Sequence, residues 1–157
     1  MDKRLNLVVV GGTFDVFHKG HSMLLEEAFK IGDQVVIGLT TDDFAANLHK
    51  AHKLDCYAKR KKHLIRFLFE RGLEKRTEIF PLDNPFGSTI ESVEMEGIVV
   101  SKETEAGALE INRRRVERGR KPLLIVVFKM ILAQDGKPIS STRIRQQEVN
   151  RFGKLIG

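Results

Sequence analysis

Cysteine is almost missing from this 157-residue chain, tryptophan is missing altogether, and tyrosine occurs once. The lone Cys56 cannot form an internal disulfide, and cysteines alone build no metal site here. No run approaches the roughly 18–20 apolar residues that a membrane span needs. Met1-Asp2-Lys3-Arg4 followed by Leu5 to Val10 is too short an apolar stretch for a signal peptide. Asparagine and glutamine number only five and four. With dense charge of both signs, that scarcity is similar to hyperthermophile proteins, a highly charged mesophile being the other reading. Acidic residues are outnumbered, 21 against 27 Lys plus Arg, which leaves a net charge of +6. The surplus points to an anionic partner without choosing among nucleotide, nucleic acid and membrane. What is present suffices for a core: 41% of residues are hydrophobic. We expect one domain over residues 1–157, soluble and cytoplasmic.

Strand and helix patterns alternate along the chain. Leu5 to Val10 is a β-branched run ending on Gly11-Gly12, a buried strand entering a tight turn. From Gly20 to Ile31, Met23, Leu24, Ala28 and Ile31 keep helical spacing, and Gly32-Asp33 ends the segment. Gln34 to Leu39 is a second strand, so the first three elements form a βαβ unit with parallel strands. A helix from about Cys56 to Phe69, strands at Thr77–Leu82 and Gly97–Val100, a helix from about Glu105 to Arg118 and a strand at Leu123–Phe128 follow. A last helix is expected from about Ser140 to Phe152. The alternation implies an α/β fold, a Rossmann-like open, mainly five-stranded parallel sheet with helices on both faces.

In such sheets ligands bind outside the carboxyl ends of the strands. Four segments follow strand ends: Gly11 to Asp15, Pro81 to Gly87, Ser101 to Thr104, and Lys129 to Ser141. The first contains neither a dinucleotide fingerprint nor a P-loop. It continues instead as Asp15-Val16-Phe17-His18-Lys19-Gly20-His21, a turn and two histidines opening a helix. Three residues apart on a helix, His18 and His21 share a face. A helix start favours an anion through its free N–H groups and dipole, and two imidazoles there can donate to phosphate oxygens. Gly20 is expected to let a bulky ligand approach the backbone. A metal reading of the pair lacks a suitably spaced third ligand. The second candidate is Ile139-Ser140-Ser141-Thr142-Arg143-Ile144-Arg145. Three hydroxyls can simply cap a helix. With two arginines behind them they also make a phosphate-binding helix start.

Gly-Thr-Phe-Asp-x-x-His-x-Gly-His together with a late Ile-Ser-Ser-Thr-x-Ile-Arg resembles the nucleotidyltransferase superfamily of Rossmann-like adenylyl- and cytidylyltransferases. The two motifs lie near opposite ends, so the resemblance spans almost the whole chain. The middle segments, Val99 to Thr104, Gly107, Ile111-Asn112-Arg113 and Pro81 to Gly87, look like the archaeal and eukaryotic phosphopantetheine adenylyltransferases. That resemblance implies transfer of the adenylyl group of ATP to 4′-phosphopantetheine, with no enzyme nucleophile and with Mg²⁺ carried mainly on the ATP phosphates. It implies His18 at the α-phosphate and His21 on the triphosphate, with Thr13 and Phe14 between nucleotide and acceptor phosphate. Ser140, Ser141 and Thr142 would grip the β- and γ-phosphates, with Arg143 or Arg145 adding charge. Ser101, Lys102, Glu103, Thr104 and Asn112 would border the adenosine. A lysine after the second strand would approach the transferring phosphates and the acceptor; Lys53 is the choice, Lys50 the alternative, and a solvated charge run the plain reading.

The remaining cations read as solvated surface: Arg113-Arg114-Arg115 with Arg118, Arg120 and Lys121 on one helix, and Lys59 to Lys62 on another. Cys56 reads as a bystander. An FMN adenylyltransferase or a cytidylyltransferase for a polyol phosphate is the nearest rival on the same scaffold. A basic nucleic-acid-binding module is the remote one. It calls for basic residues interleaved with stacking aromatics, which a chain with one tyrosine and mostly core-spaced phenylalanines lacks. No nucleic acid and no membrane is therefore expected as a partner, and no protein-held metal.

Overall fold

The structure, a computed structural model, describes residues 4–49, 53–129, 134–135, 144 and 150–155. Its elements run β1 (Leu5–Gly12), α1 (Lys19–Ile31), β2 (Gly32–Thr40), α2 (Asp42–Leu48), α3 (Tyr57–Glu70), β3 (Thr77–Leu82), β4 (Gly97–Ser101), α4 (Glu105–Glu117) and β5 (Leu124–Phe128). The strands form one sheet in the order β3-β2-β1-β4-β5, and every neighbouring pair is parallel. All strand ends therefore emerge on one rim, and all strand starts on the opposite floor. The order reverses between β1 and β4, which opens the crevice there.

Both faces of the sheet are covered, because successive side chains of a strand point to opposite sides. Val8, Val10, Val35, Ile37 and Leu39 pack with Leu25, Ala28 and Phe29 of α1 and Leu64, Phe67 and Leu68 of α3. Val9, Val36, Ile98 and Val100 pack with Ala108 and Ile111 of α4 on the other face. Nearly continuous β-branched runs are what two-sided burial requires. Pro81 sits within β3 opposite Leu39, tolerated because β3 is an edge strand bonded only to β2.

One helix was not expected, and one expected helix end is not reached. Helix α2 carries no long apolar period; Thr41 caps it, its hydroxyl accepting from the Phe44 amide at 3.2 Å, with Asp42 and Asp43 in the first turn. The last expected helix lies mostly outside the described residues. Ile144 is helical and Asn150 is not. Asn150 Oδ1 accepts from the Phe152 and Lys154 amides at 2.9 and 3.0 Å, and Gly153 adopts φ +82°, so no helix reaches Phe152. Among the described residues no helix is long and apolar enough to cross a membrane.

Candidate active site

The loop from β1 to α1 delivers the histidine pair to the rim, at the β1–β4 switch. Phe14 and Val16 both have positive φ there, 50° and 46°. For a β-branched residue that conformation is costly, and it persists only where surroundings hold it. Buried Asp15 supplies one restraint, its Oδ1 accepting from the Asp55 amide at 3.0 Å. The buried Phe14 ring supplies another, seated in the core 5.2 Å from the His21 ring.

His18 is the N-cap of α1. Its Nδ1 accepts from the Gly20 amide at 3.0 Å, while the His18 amide donates to His21 Nδ1 at 3.2 Å. A backbone N–H only donates, so each accepting Nδ1 is bare and each neutral ring carries its proton on Nε2. The rings stack with centroids 3.7 Å apart. Burial holds the His18 imidazole down at about 4. Burial, then the neighbouring His18, hold His21 well below its usual value. At neutral pH the pair is thus two uncharged Nε2–H donors. A Cβ on Gly20 would lie 2.8 Å from His18 Cε1 and 3.0 Å from Nδ1, so the glycine makes room for the capping imidazole.

Along the same rim, Thr13 Oγ1 accepts from the Thr40 hydroxyl at 3.1 Å and lies 3.1 Å from His49 Nε2. Ser101 ends β4 in a tight turn: its amide donates to Thr104 Oγ1 at 3.0 Å, and the Thr104 amide donates to Ser101 O at 3.1 Å. Lys102 and Glu103 are exposed on that turn, which leads into α4. Beyond β3, Asn84 Oδ1 accepts from the Phe86 and Gly87 amides at 3.0 and 2.8 Å. A groove of about 600 Å³ opens beside His18 and Lys19, bordered by His63, Arg66, Arg151 and Phe152. A larger cleft of about 910 Å³, lined by Asn6, Gln34 and Arg120, lies at the floor, away from every residue nominated above except the arginine-rich helix.

A family model described as cytidylyltransferase-like matches residues 9–147, a span containing both the histidine pair and the late hydroxyl run. The chain belongs to this family. As a cytidylyltransferase-like protein it is 45% identical over 156 residues to the phosphopantetheine adenylyltransferase of Methanothermobacter thermautotrophicus, which covers 99% of this chain and 93% of that one. It is 49% identical over 142 residues to the phosphopantetheine adenylyltransferase of Methanopyrus kandleri, covering 90% of each. Among solved structures it is similar to a protein of unknown function from Archaeoglobus fulgidus. There the TM-score is 0.68 at 34% identity, over 79% of this chain and 88% of that one.

Measured against the residues nominated from sequence, this cytidylyltransferase-like site brings Thr13, His18, His21 and Ser101 to Thr104 to one rim. Phe14 is there too, but its side chain is buried, so only its backbone remains for a ligand. Lys53 is exposed and lies two residues from Asp55, the point anchored to Asp15. Lys50, Ser140, Ser141, Thr142, Arg143 and Arg145 lie outside the described residues. Asn112 does not belong with the adenosine group. Its Nδ2 donates to Leu123 O at 2.9 Å and its Oδ1 accepts from the Leu123 amide at 2.7 Å, so the side chain is committed to stapling α4 to the start of β5.

The charged runs also need correction. Arg60, within the supposedly solvated Lys59–Lys62 run, is buried, and so is Arg115. Arg113 and Arg114 are ion-paired to Glu110; hydrogen bonds from Arg113 and then Arg114 hold the Glu110 carboxyl down at about 2. Thr40, His49 and Arg60 were missed as site neighbours. Thr41 followed by two aspartates is the capping signature that would have revealed α2 and the segment bearing His49.

Proposed function

We propose that this chain transfers the adenylyl group of ATP to 4′-phosphopantetheine, giving dephospho-coenzyme A and pyrophosphate, as a cytoplasmic enzyme of coenzyme A biosynthesis. The observation that carries the reading is similarity over nearly the full length to phosphopantetheine adenylyltransferases, with the histidine pair seated at the switch point of the sheet. The acceptor phosphate oxygen attacks the α-phosphorus in line, a P–O bond forms, and the bond to the β-phosphate oxygen breaks to release pyrophosphate. No protein nucleophile takes part. Catalysis consists of holding two anions in line and stabilising charge as it moves.

Neutral His18 donates its Nε2–H to the α-phosphate as negative charge gathers there, and His21 donates to the triphosphate. Neutrality suits this work: a donor with its direction fixed by the backbone needs no reorganisation when the reaction occurs. Thr13 meets the acceptor phosphate, and Lys53 brings a cation to the transferring group. Ser101, Lys102, Glu103 and Thr104 border the adenosine. Ser140, Ser141 and Thr142 hold the β- and γ-phosphates, with Arg143 and Arg145 adding charge. Mg²⁺ accompanies ATP on its phosphate oxygens. The described rim offers donors to anions, and the described residues hold no cluster of three or more histidine, cysteine or carboxylate ligands. When bound, the ion neutralises phosphate charge.

The test is pyrophosphate release from Mg-ATP with a panel of acceptors: 4′-phosphopantetheine, FMN and polyol phosphates. Release is expected with 4′-phosphopantetheine. Silence with it and release with FMN overturns the choice of acceptor.

A further inference from the structure

Arg60 is 1% exposed, and its guanidinium reaches four acceptors drawn from four segments. Nε donates to Asp55 O at 2.9 Å, in the stretch before α3. Nη1 donates to Thr13 O at 3.0 Å, after β1, and to Thr40 Oγ1 at 3.3 Å, at the end of β2. Nη2 donates to Asp42 Oδ1 at 3.1 Å, in the first turn of α2. A planar fork can serve acceptors diverging in this way, whereas a lysine ammonium is a single point charge.

The direction of the hydrogen bonds matters more than their number. Thr40 accepts from Arg60, so its own proton goes to Thr13 Oγ1. Thr13 Oγ1 accepts from Thr40, so its own proton is not spent on that bond and is available to a ligand. His49 Nε2, 3.1 Å away, is the protein group waiting at that end. The line runs from a buried cation through two hydroxyls, each polarising the next. Arg60 meanwhile fixes the Thr13 carbonyl, and with it the backbone that sets the hydroxyl in place.

We propose that Arg60 and Thr40 are positioning residues for the acceptor: they hold Thr13 so that its hydroxyl donates to the incoming phosphomonoester, with His49 Nε2 exchanged for a phosphate oxygen. The inference rests on the adenylyl-transfer reading and adds to it a specificity element built from a residue in a charge run and one at a strand end.

Thr40→Val keeps the shape of a buried side chain and removes its hydroxyl. Losing the donor that directs Thr13 lowers kcat/KM for 4′-phosphopantetheine about tenfold, of the order of one hydrogen bond to a charged group. The dissociation constant for ATP stays within about twofold, since the line does not reach the histidine pair. Thr40→Ser restores kcat/KM to within about threefold. In a Thr13→Val background, Thr40→Val has no further effect, because the two act as one unit. Arg60→Lys, if it folds, shows the same acceptor-selective loss; if it does not fold, the Thr40 pair decides. Wild-type acceptor kinetics in Thr40→Val, or equal losses for ATP and acceptor, overturn the proposal. Wild-type protein that releases no pyrophosphate with 4′-phosphopantetheine overturns instead the reading beneath it.

Discussion

Arg60 and Arg115 are 1% and 2% exposed, occupy equivalent faces of their helices, and each satisfies its guanidinium completely enough to stay buried. They sit at opposite ends of the same sheet. Arg60 stands under the rim and bonds two side chains, Thr40 Oγ1 and Asp42 Oδ1, as well as two main-chain carbonyls, Asp55 O and Thr13 O. Arg115 stands at the floor and bonds main-chain carbonyls only: Lys121 O at 2.7 Å, Thr89 O at 2.6 Å and Ser92 O at 2.7 Å. A buried cation is therefore no sign of a site in itself. Its partners decide, and parallel strands that all end on one side ensure that the partners differ between the two ends.

The sharpest separation of the two ends comes from the rim. On the proposed function, His18→Ala removes the donor assigned to the transferring phosphate, and turnover is expected to fall at least about 10²-fold. The lost helix cap costs only about 1 kcal/mol of stability. Steady-state pyrophosphate release at matched folded fraction measures this; near wild-type turnover would erase the distinction between rim and floor. At the floor the pattern reverses. Arg115→Met leaves the Thr89, Ser92 and Lys121 carbonyls, the first of them buried, without their donor and costs about 3 kcal/mol by urea unfolding. Turnover of the protein that remains folded is unchanged, and a drop in kcat would break the comparison.

The rim also ties stability to pH. With the folded His18 held at about 4 against an ordinary value of 6.5, the unfolded chain takes up a proton that the folded chain refuses between those limits. Stability conferred by the neutral ring is complete above pH 6.5 and declines as the pH falls toward 4, by about 3 kcal/mol over the full span. Comparing urea midpoints of wild type and His18→Asn, which keeps a capping acceptor, isolates this part. Equal acid sensitivity in the two proteins would contradict it. The smallest effect belongs to the floor. Asn112→Ala loses both bonds to Leu123, costs about 1–2 kcal/mol and leaves ATP affinity as it was; weakened ATP binding would return Asn112 to the nucleotide site.

Much of this architecture could be read from the chain. Five β-branched runs separated by amphipathic spacing gave the parallel sheet, and a strand, a turn and two histidines located the rim. The residues that escaped notice did so for a physical reason. Arg60 was hidden among like charges, although it lies four residues before Leu64 and seven before Phe67, on the inward face of α3. Arg115 lies four residues after Ile111 in the same relation. Helical position, taken without regard to charge, places both inside. Composition has no account of where their partners are, because the carbonyls and hydroxyls that receive them come from distant segments. Asn112 failed in the opposite direction: a polar residue in a motif drew attention, while the bonds to Leu123 that occupy it depend on a turn no spacing reveals.

The account depends above all on the two rim histidines being neutral donors whose direction the backbone has set. Imidazole ¹⁵N–¹H NMR of the wild-type protein from pH 7.5 to 5 tests that directly. It predicts that His18 and His21 both carry the proton on Nε2 with Nδ1 bare, and that neither becomes charged across the range. Protonated Nδ1 in either ring, or titration of His18 near 6.5, would contradict it.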